Sequence, residues 1–181
     1  MPNITIFAPR DFESLKKAVE FAYEFDKGPI AFRYPRGSFV LEDGVFEAKE
    51  FELAKGEILI DSNDIMLIAY GNGVGKAYKV YKELKDEFDI GIVDLRFVKP
   101  FDKELLKNLK AKKWYVISDN AKEGGIGEML SEFANKENLD VKIISFEYPD
   151  RFIPHGDVES VEKLLGVDVK SIVNKIKEDN G

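Results

Sequence analysis

Two guanidinium groups, Arg33 and Arg36, flank a rigid Tyr34-Pro35 step that is followed by Gly37. Arginine presents a planar fork of donors that matches phosphate oxygens, so the segment suits a phosphorylated ligand. A surface salt bridge uses the same atoms, and on spacing alone it is the slightly favoured account. Asp119-Asn120 is a second candidate, because the strand pattern puts the pair at the C-terminal edge of a sheet, where open α/β folds place ligands. One acidic side chain does not make an acid/base pair, however. Gly71-Asn72-Gly73-Val74-Gly75 follows a strand and opens a helix, but it lacks both the dinucleotide fingerprint spacing and a Gly-Lys-Ser/Thr sequence, and so reads as a tight turn. Lys122-Glu123-Gly124-Gly125-Ile126-Gly127 presents N–H groups that could meet an anion or a neighbouring loop; a plain turn is the first reading there too. His155, in Pro154-His155-Gly156, reads as a loop histidine, and Asp94 to Phe101, with its Asp, Arg and Lys, as an interaction surface.

Composition removes several kinds of chemistry. The chain has no cysteine and a single histidine, which excludes disulfides, thiolate nucleophiles and imidazole-rich metal sites; a carboxylate-only site would favour Mg²⁺ or Ca²⁺. A net charge of −7 opposes binding to a phosphate backbone, so nucleic acid is not an expected partner. No apolar run matches a membrane span, and the first residues lack the order of a signal peptide, so the expected location is the cytoplasm.

The elements that must position these residues follow from apolar periodicity. A strand over 3–8 ends at Pro9, a helix capped by Asp11 shows Phe12, Leu15, Val19, Ala22 and Tyr23 at steps of three and four, and a second strand covers 30–34. Residues 38–55 carry many acidic side chains and no long period, and read as a surface connection. Beyond them strands at 56–60, 65–70, 90–95, 114–118 and 141–146 alternate with helices at 74–84, from 102, and at 126–135, and two short helices close the chain on either side of Gly166. That alternation predicts an α/β fold, a mostly parallel open sheet with helices on both faces.

Phe7-Ala8-Pro9-Arg10-Asp11, Gly28 to Gly37 with its Arg-Tyr-Pro-Arg-Gly ending, Asp94-Leu95-Arg96-Phe97-Val98-Lys99-Pro100 and Pro149 to Gly156 together resemble the 1-deoxy-D-xylulose 5-phosphate synthase family over nearly the whole chain. The resemblance implies that residues 1–37 are the end of a pyrimidine-binding domain, 38–55 a linker, and 56–181 a transketolase-type C-terminal domain. It implies a thiamine diphosphate and Mg²⁺ enzyme that joins pyruvate to glyceraldehyde 3-phosphate with loss of CO₂, acting as a homodimer. Arg36 matches the family's arginine for the aldehyde's phosphate, and Tyr34, Asp119 and Asn120 are candidate site or domain contacts. Asp119-Asn120 stands where the family has Glu-Asn. The family's cofactor-binding residues lie upstream of this chain, so the chain alone is expected to hold no cofactor and to depend on those upstream domains. A scaffold without chemistry and the transketolase-like β subunit of a 2-oxo acid dehydrogenase are the alternatives. With half of its first module elsewhere, the 3–8 and 30–34 strands are expected to expose an unpaired edge if they keep their shape, and so to be displaced or partly mobile.

Overall fold

The computed structural model describes residues 2–181; residue 1, the first of the expected 1–37 segment, lies outside the described residues. The elements are β1 (Thr5–Phe7), α1 (Phe12–Glu24), β2 (Ile30–Phe32), β3 (Glu57–Ile60), β4 (Ile65–Ala69), α2 (Asn72–Leu84), β5 (Ile90–Asp94), β6 (Phe97–Lys99), α3 (Lys103–Lys107), β7 (Lys113–Ala121), α4 (Ile126–Lys136), β8 (Lys142–Tyr148), α5 (Val158–Leu165) and α6 (Val169–Asn180).

Five strands form one sheet in the order β3-β5-β4-β7-β8, parallel except for β3. Every residue of β4 and β5 is buried, as a strand covered on both faces requires. Alternation sends Ile65, Leu67, Ile92, Tyr115 and Ile117 into one core with α2 and α6. Met66, Ile68, Val93, Trp114 and Val116 go into the other, with α3 and α4. The glycine turn before α2 serves that packing: a Cβ on Gly73 would collide with the Ile117 carbonyl oxygen.

A second, three-stranded sheet has the order β2-β1-β6, with β1 parallel to β2 and antiparallel to β6. Here the expected displacement is corrected. β1 is the central strand, because the short β6 covers one of its edges; of the two strands β1 and β2, only β2 keeps an outer edge without a partner strand among the described residues. Phe7 is fully buried among Phe21, Phe32, Phe51 and Phe97, with ring centroids 5.1–5.4 Å away. Asp11 caps α1 as expected, accepting from the Ser14 amide at 2.7 Å in a reciprocal capping box. The buried face of α1 is a different one from that expected. Ser14 and Ala18 turn inward, while Phe12 and Val19 are each 51% exposed and Tyr23 is 91% exposed.

Residues 38–55 form no helix or strand, yet they are more than a surface connection, because Leu41 packs on α2 and Phe51 on β1. Arg96, expected on an interaction surface, is 5% exposed. It lies over the Phe51 ring at 3.9 Å and donates to the Lys49 and Glu50 carbonyls at 2.8 and 2.9 Å, which staples the connection to the fold.

Candidate functional site

The ends of β2 and β7 and the turn before α2 meet around a cleft of about 210 Å³, lined by Arg33, Tyr34, Arg36, Gly71, Asn72 and Asp119 among others. This is the C-terminal edge of the parallel strands, where helix N-termini and loops converge. Gly71 makes the turn, with φ of 55°, a conformation in which a side chain is strained. The Asn72 carboxamide accepts from the Val40 amide at 3.2 Å and so pins the connection beside the cleft.

The two arginines have separate fates. Arg33 forms an ion pair with Asp119, and its guanidinium carbon lies 5.3 Å from the centre of the Tyr70 ring. The salt-bridge account therefore fits Arg33. Arg36 is exposed at the cleft and, among the described residues, has no carboxylate partner, which leaves its donors available to an anion. Tyr34 is 59% exposed beside it, its ring 5.9 Å from Phe32.

Asp119 and Asn120 point into different surroundings. Asp119 faces the cleft; Asn120 turns away, accepting from the Tyr70 hydroxyl at 2.7 Å and donating to Glu147 at 2.8 Å. Burial pushes the Tyr70 phenol up to about 12, so Tyr70 stays a neutral donor to Asn120. The Gly124 to Gly127 turn has no vacant anion slot at its helix end, since the Gly127 amide donates to Glu147 at 3.2 Å.

Sequence reasoning missed the group that joins the two sheets behind the cleft. Arg10, 1% exposed, donates to Glu57 at 2.9 Å, to Asp94 at 3.1 Å and to the Glu47 carbonyl at 2.7 Å. Burial works against its charge, but Asp94 and Glu57 outweigh it and hold the guanidinium above its ordinary value. The one available signal was its place directly after the β1 strand in Pro9-Arg10-Asp11. His155 sits exposed in the loop after β8, as expected.

A larger cavity of about 930 Å³ lies against α2, α5 and α6, but its buried cation, Lys76, is already paired with Glu162 at 2.8 Å. Among the described residues no three His, Asp or Glu side chains converge to hold a cation.

Residues 54–172 match the family described as transketolase, C-terminal domain. The chain is 48% identical to the 1-deoxy-D-xylulose-5-phosphate synthase of Helicobacter hepaticus over 182 residues, 98% of this chain and 29% of that protein. It is 49% identical to the protein of the same name from Nitratiruptor sp. over 180 residues, again 98% of this chain and 29% of the relative. It thus spans less than a third of the length of these relatives. Two solved structures share the fold. A split gene transketolase, described as an inactive β4 tetramer, has a TM-score of 0.88 at 24% identity, covering 98% of this chain and 58% of that one. The transketolase of Campylobacter jejuni has a TM-score of 0.70 at 21% identity, covering 98% and 26%. The chain belongs to the transketolase C-terminal domain family.

Proposed function

We propose that the chain is the C-terminal part of a thiamine diphosphate- and Mg²⁺-dependent synthase, which joins pyruvate to glyceraldehyde 3-phosphate with release of CO₂ to give 1-deoxy-D-xylulose 5-phosphate. Its identity to synthases of that name supports the reaction. The observation that carries this chain's own part is the unpaired Arg36 at a cleft where Arg33 is already neutralised by Asp119. When bound to the upstream domains, the cofactor supplies the carbon nucleophile and electron sink. Arg36 contributes binding and orientation: a bidentate hold on the phosphate fixes the distance from that anchor to the aldehyde carbon, which turns a bimolecular encounter into a positioned one. Tyr34, exposed beside Arg36, narrows the approach. That the split gene transketolase is inactive as a β4 tetramer supports a chain that needs its upstream domains; a cytoplasmic homodimer completes the reading.

The test is CO₂ release from pyruvate and glyceraldehyde 3-phosphate by this chain combined with the upstream part of the enzyme, with Arg36 intact or replaced. Loss of a charge-assisted hydrogen bond of about 1.5–3 kcal/mol predicts a roughly tenfold to hundredfold rise in KM for the phosphorylated aldehyde in Arg36→Ala. Unphosphorylated glyceraldehyde should react equally well with both. Unchanged kinetics with both aldehydes would remove Arg36 from the site and leave the scaffold reading.

A further inference from the structure

β8 delivers one carboxylate into the interior beside the cleft. Glu147 is 5% exposed. Its Oε1 accepts from Asn120 Nδ2 at 2.8 Å, from the Gly127 amide at 3.2 Å and from Ser118 Oγ at 3.1 Å, a hydroxyl it shares with Asn120. Its Oε2 is buried with no hydrogen-bond partner among the described residues. The glycine turn is shaped around this group: a Cβ on Gly125 would lie 2.8 Å from Oε1, and one on Gly127 would collide with Oε2. The anion that the start of α4 favours is therefore the chain's own.

Pinning Asn120 has a consequence one residue away. Neighbouring residues of an extended strand point to opposite sides, so holding Ser118 and Asn120 against Glu147 turns Asp119 outward, where it meets Arg33. The other surface that holds Arg33 is the Tyr70 ring, and the Tyr70 hydroxyl is bonded to the same Asn120. An ion pair whose side chains are 44% and 36% exposed is weak when two mobile side chains must find each other. Here both surfaces that receive Arg33 are set in advance by one buried cluster.

We infer that Glu147 is a positioning residue. Through Asn120 it fixes the Asp119 and Tyr70 cradle for Arg33, and so holds the loop from Arg33 to Arg36 against the larger sheet. The inference rests on the phosphate reading of Arg36 only for its kinetic consequence.

The test uses this chain and follows solvent exchange of the Arg33 guanidinium N–H groups, of which Nη2 meets Asp119, by nuclear magnetic resonance. Breaking the cradle should speed that exchange about fivefold in Glu147→Gln and in Asp119→Asn, and about twofold in Tyr70→Phe, which keeps the ring. Ser131→Ala is the structural control: it removes a 2.8 Å bond from the Ser131 hydroxyl to the Gly127 carbonyl in the same helix, and should leave Arg33 unmoved. Arg33 exchange unchanged in folded Glu147→Gln, or accelerated equally by Ser131→Ala, overturns the inference. Should Glu147→Gln fail to fold, Tyr70→Phe decides, and an unchanged Arg33 there overturns it. In the reassembled enzyme, Glu147→Gln should raise KM for glyceraldehyde 3-phosphate about fivefold and leave KM for pyruvate alone. If Arg36→Ala has no effect in that assay the phosphate reading fails, while the Arg33 exchange rates still decide the role of Glu147.

Discussion

The two sheets of this chain are held in opposite ways. The five-stranded sheet buries apolar side chains on both faces, with Trp114, Tyr115, Leu67 and Ile92 each no more than 1% exposed, and its helices supply the cover. The three-stranded sheet has a small aromatic core of Phe7, Ala18, Phe51 and Phe97. Half of that core comes from outside β1, α1 and β2: Phe51 from the connection and Phe97 from β6, which continues the chain from β5 of the larger sheet. Arg10 adds a buried charge cluster across the junction. A large sheet can stand on area removed from water, whereas a small one must borrow both rings and counter-ions from its neighbour. The smaller sheet should therefore depend on the larger one and not the reverse.

The largest expected effect comes from removing the shared charge. Arg10→Ala leaves Asp94 buried without its main cation, and loss of one partner from a buried pair costs about 3–5 kcal/mol. Urea unfolding should show it, and hydrogen exchange should rise first at the β1 and β2 amides. Phe97→Ala removes a borrowed ring and should cost about 3 kcal/mol, at the low end of Phe-to-Ala changes, because the loosened sheet can close in. If β4 and β7 amides lose protection as much as β1 does in either variant, the sheets unfold as one unit and the asymmetry is wrong.

Those two residues also mark where the sequence stops being legible. The alternation of strands and helices after residue 56 is a local signal and located every element of the larger sheet, because each strand carries enough apolar residues to show its period. β6 has three residues, too few to show any period, and its partner β1 is about ninety positions earlier. Arg10 looks like any solvated charge until Glu57 and Asp94, 47 and 84 positions away, are brought to it. The face of α1 was misread because the helix is apolar on two sides. The stripe through Phe12, Val19 and Tyr23 keeps helical spacing as well as Ser14, Ala18 and Phe21 do, and lies nearly half a turn round from them. In the cleft, residue type alone singled out Arg33 and Arg36, but their division of labour depends on Asp119, 86 positions from Arg33. Glu147, a lone acid between Phe146 and Tyr148, carried the pattern of a solvent-facing strand position.

Alkali should weaken the larger sheet by a smaller amount for each group that titrates. Burial pushes the phenols of Tyr70, Tyr115 and Tyr148, all at its strands' edges or faces, from 10.0 up to about 12. A raised folded value means the folded state keeps protons that the unfolded chain gives up. The stabilisation is complete below pH 10 and is lost as pH rises from 10 through about 12. Unfolding free energies from urea titrations at pH 9 and pH 11.5 should differ by on the order of 2 kcal/mol for each such phenol, and Tyr70→Phe should reduce that difference. An equal fall in Tyr70→Phe would assign the loss to other groups.

The smallest effect belongs to the apolar stripe of α1, and it sharpens the contrast within a single helix. Val19 and Tyr23 are exposed, so Val19→Lys and Tyr23→Lys should each change the stability of this chain by no more than about 0.5 kcal/mol. Ala18 precedes Val19 but is fully buried against the aromatic core, so Ala18→Leu should overpack that core and cost about 1–3 kcal/mol. Similar losses at positions 18 and 19 would mean that α1 presents its Phe12, Val19 and Tyr23 face to the protein in solution. A loss confined to position 18 would keep that face free, at no cost to the chain as it stands.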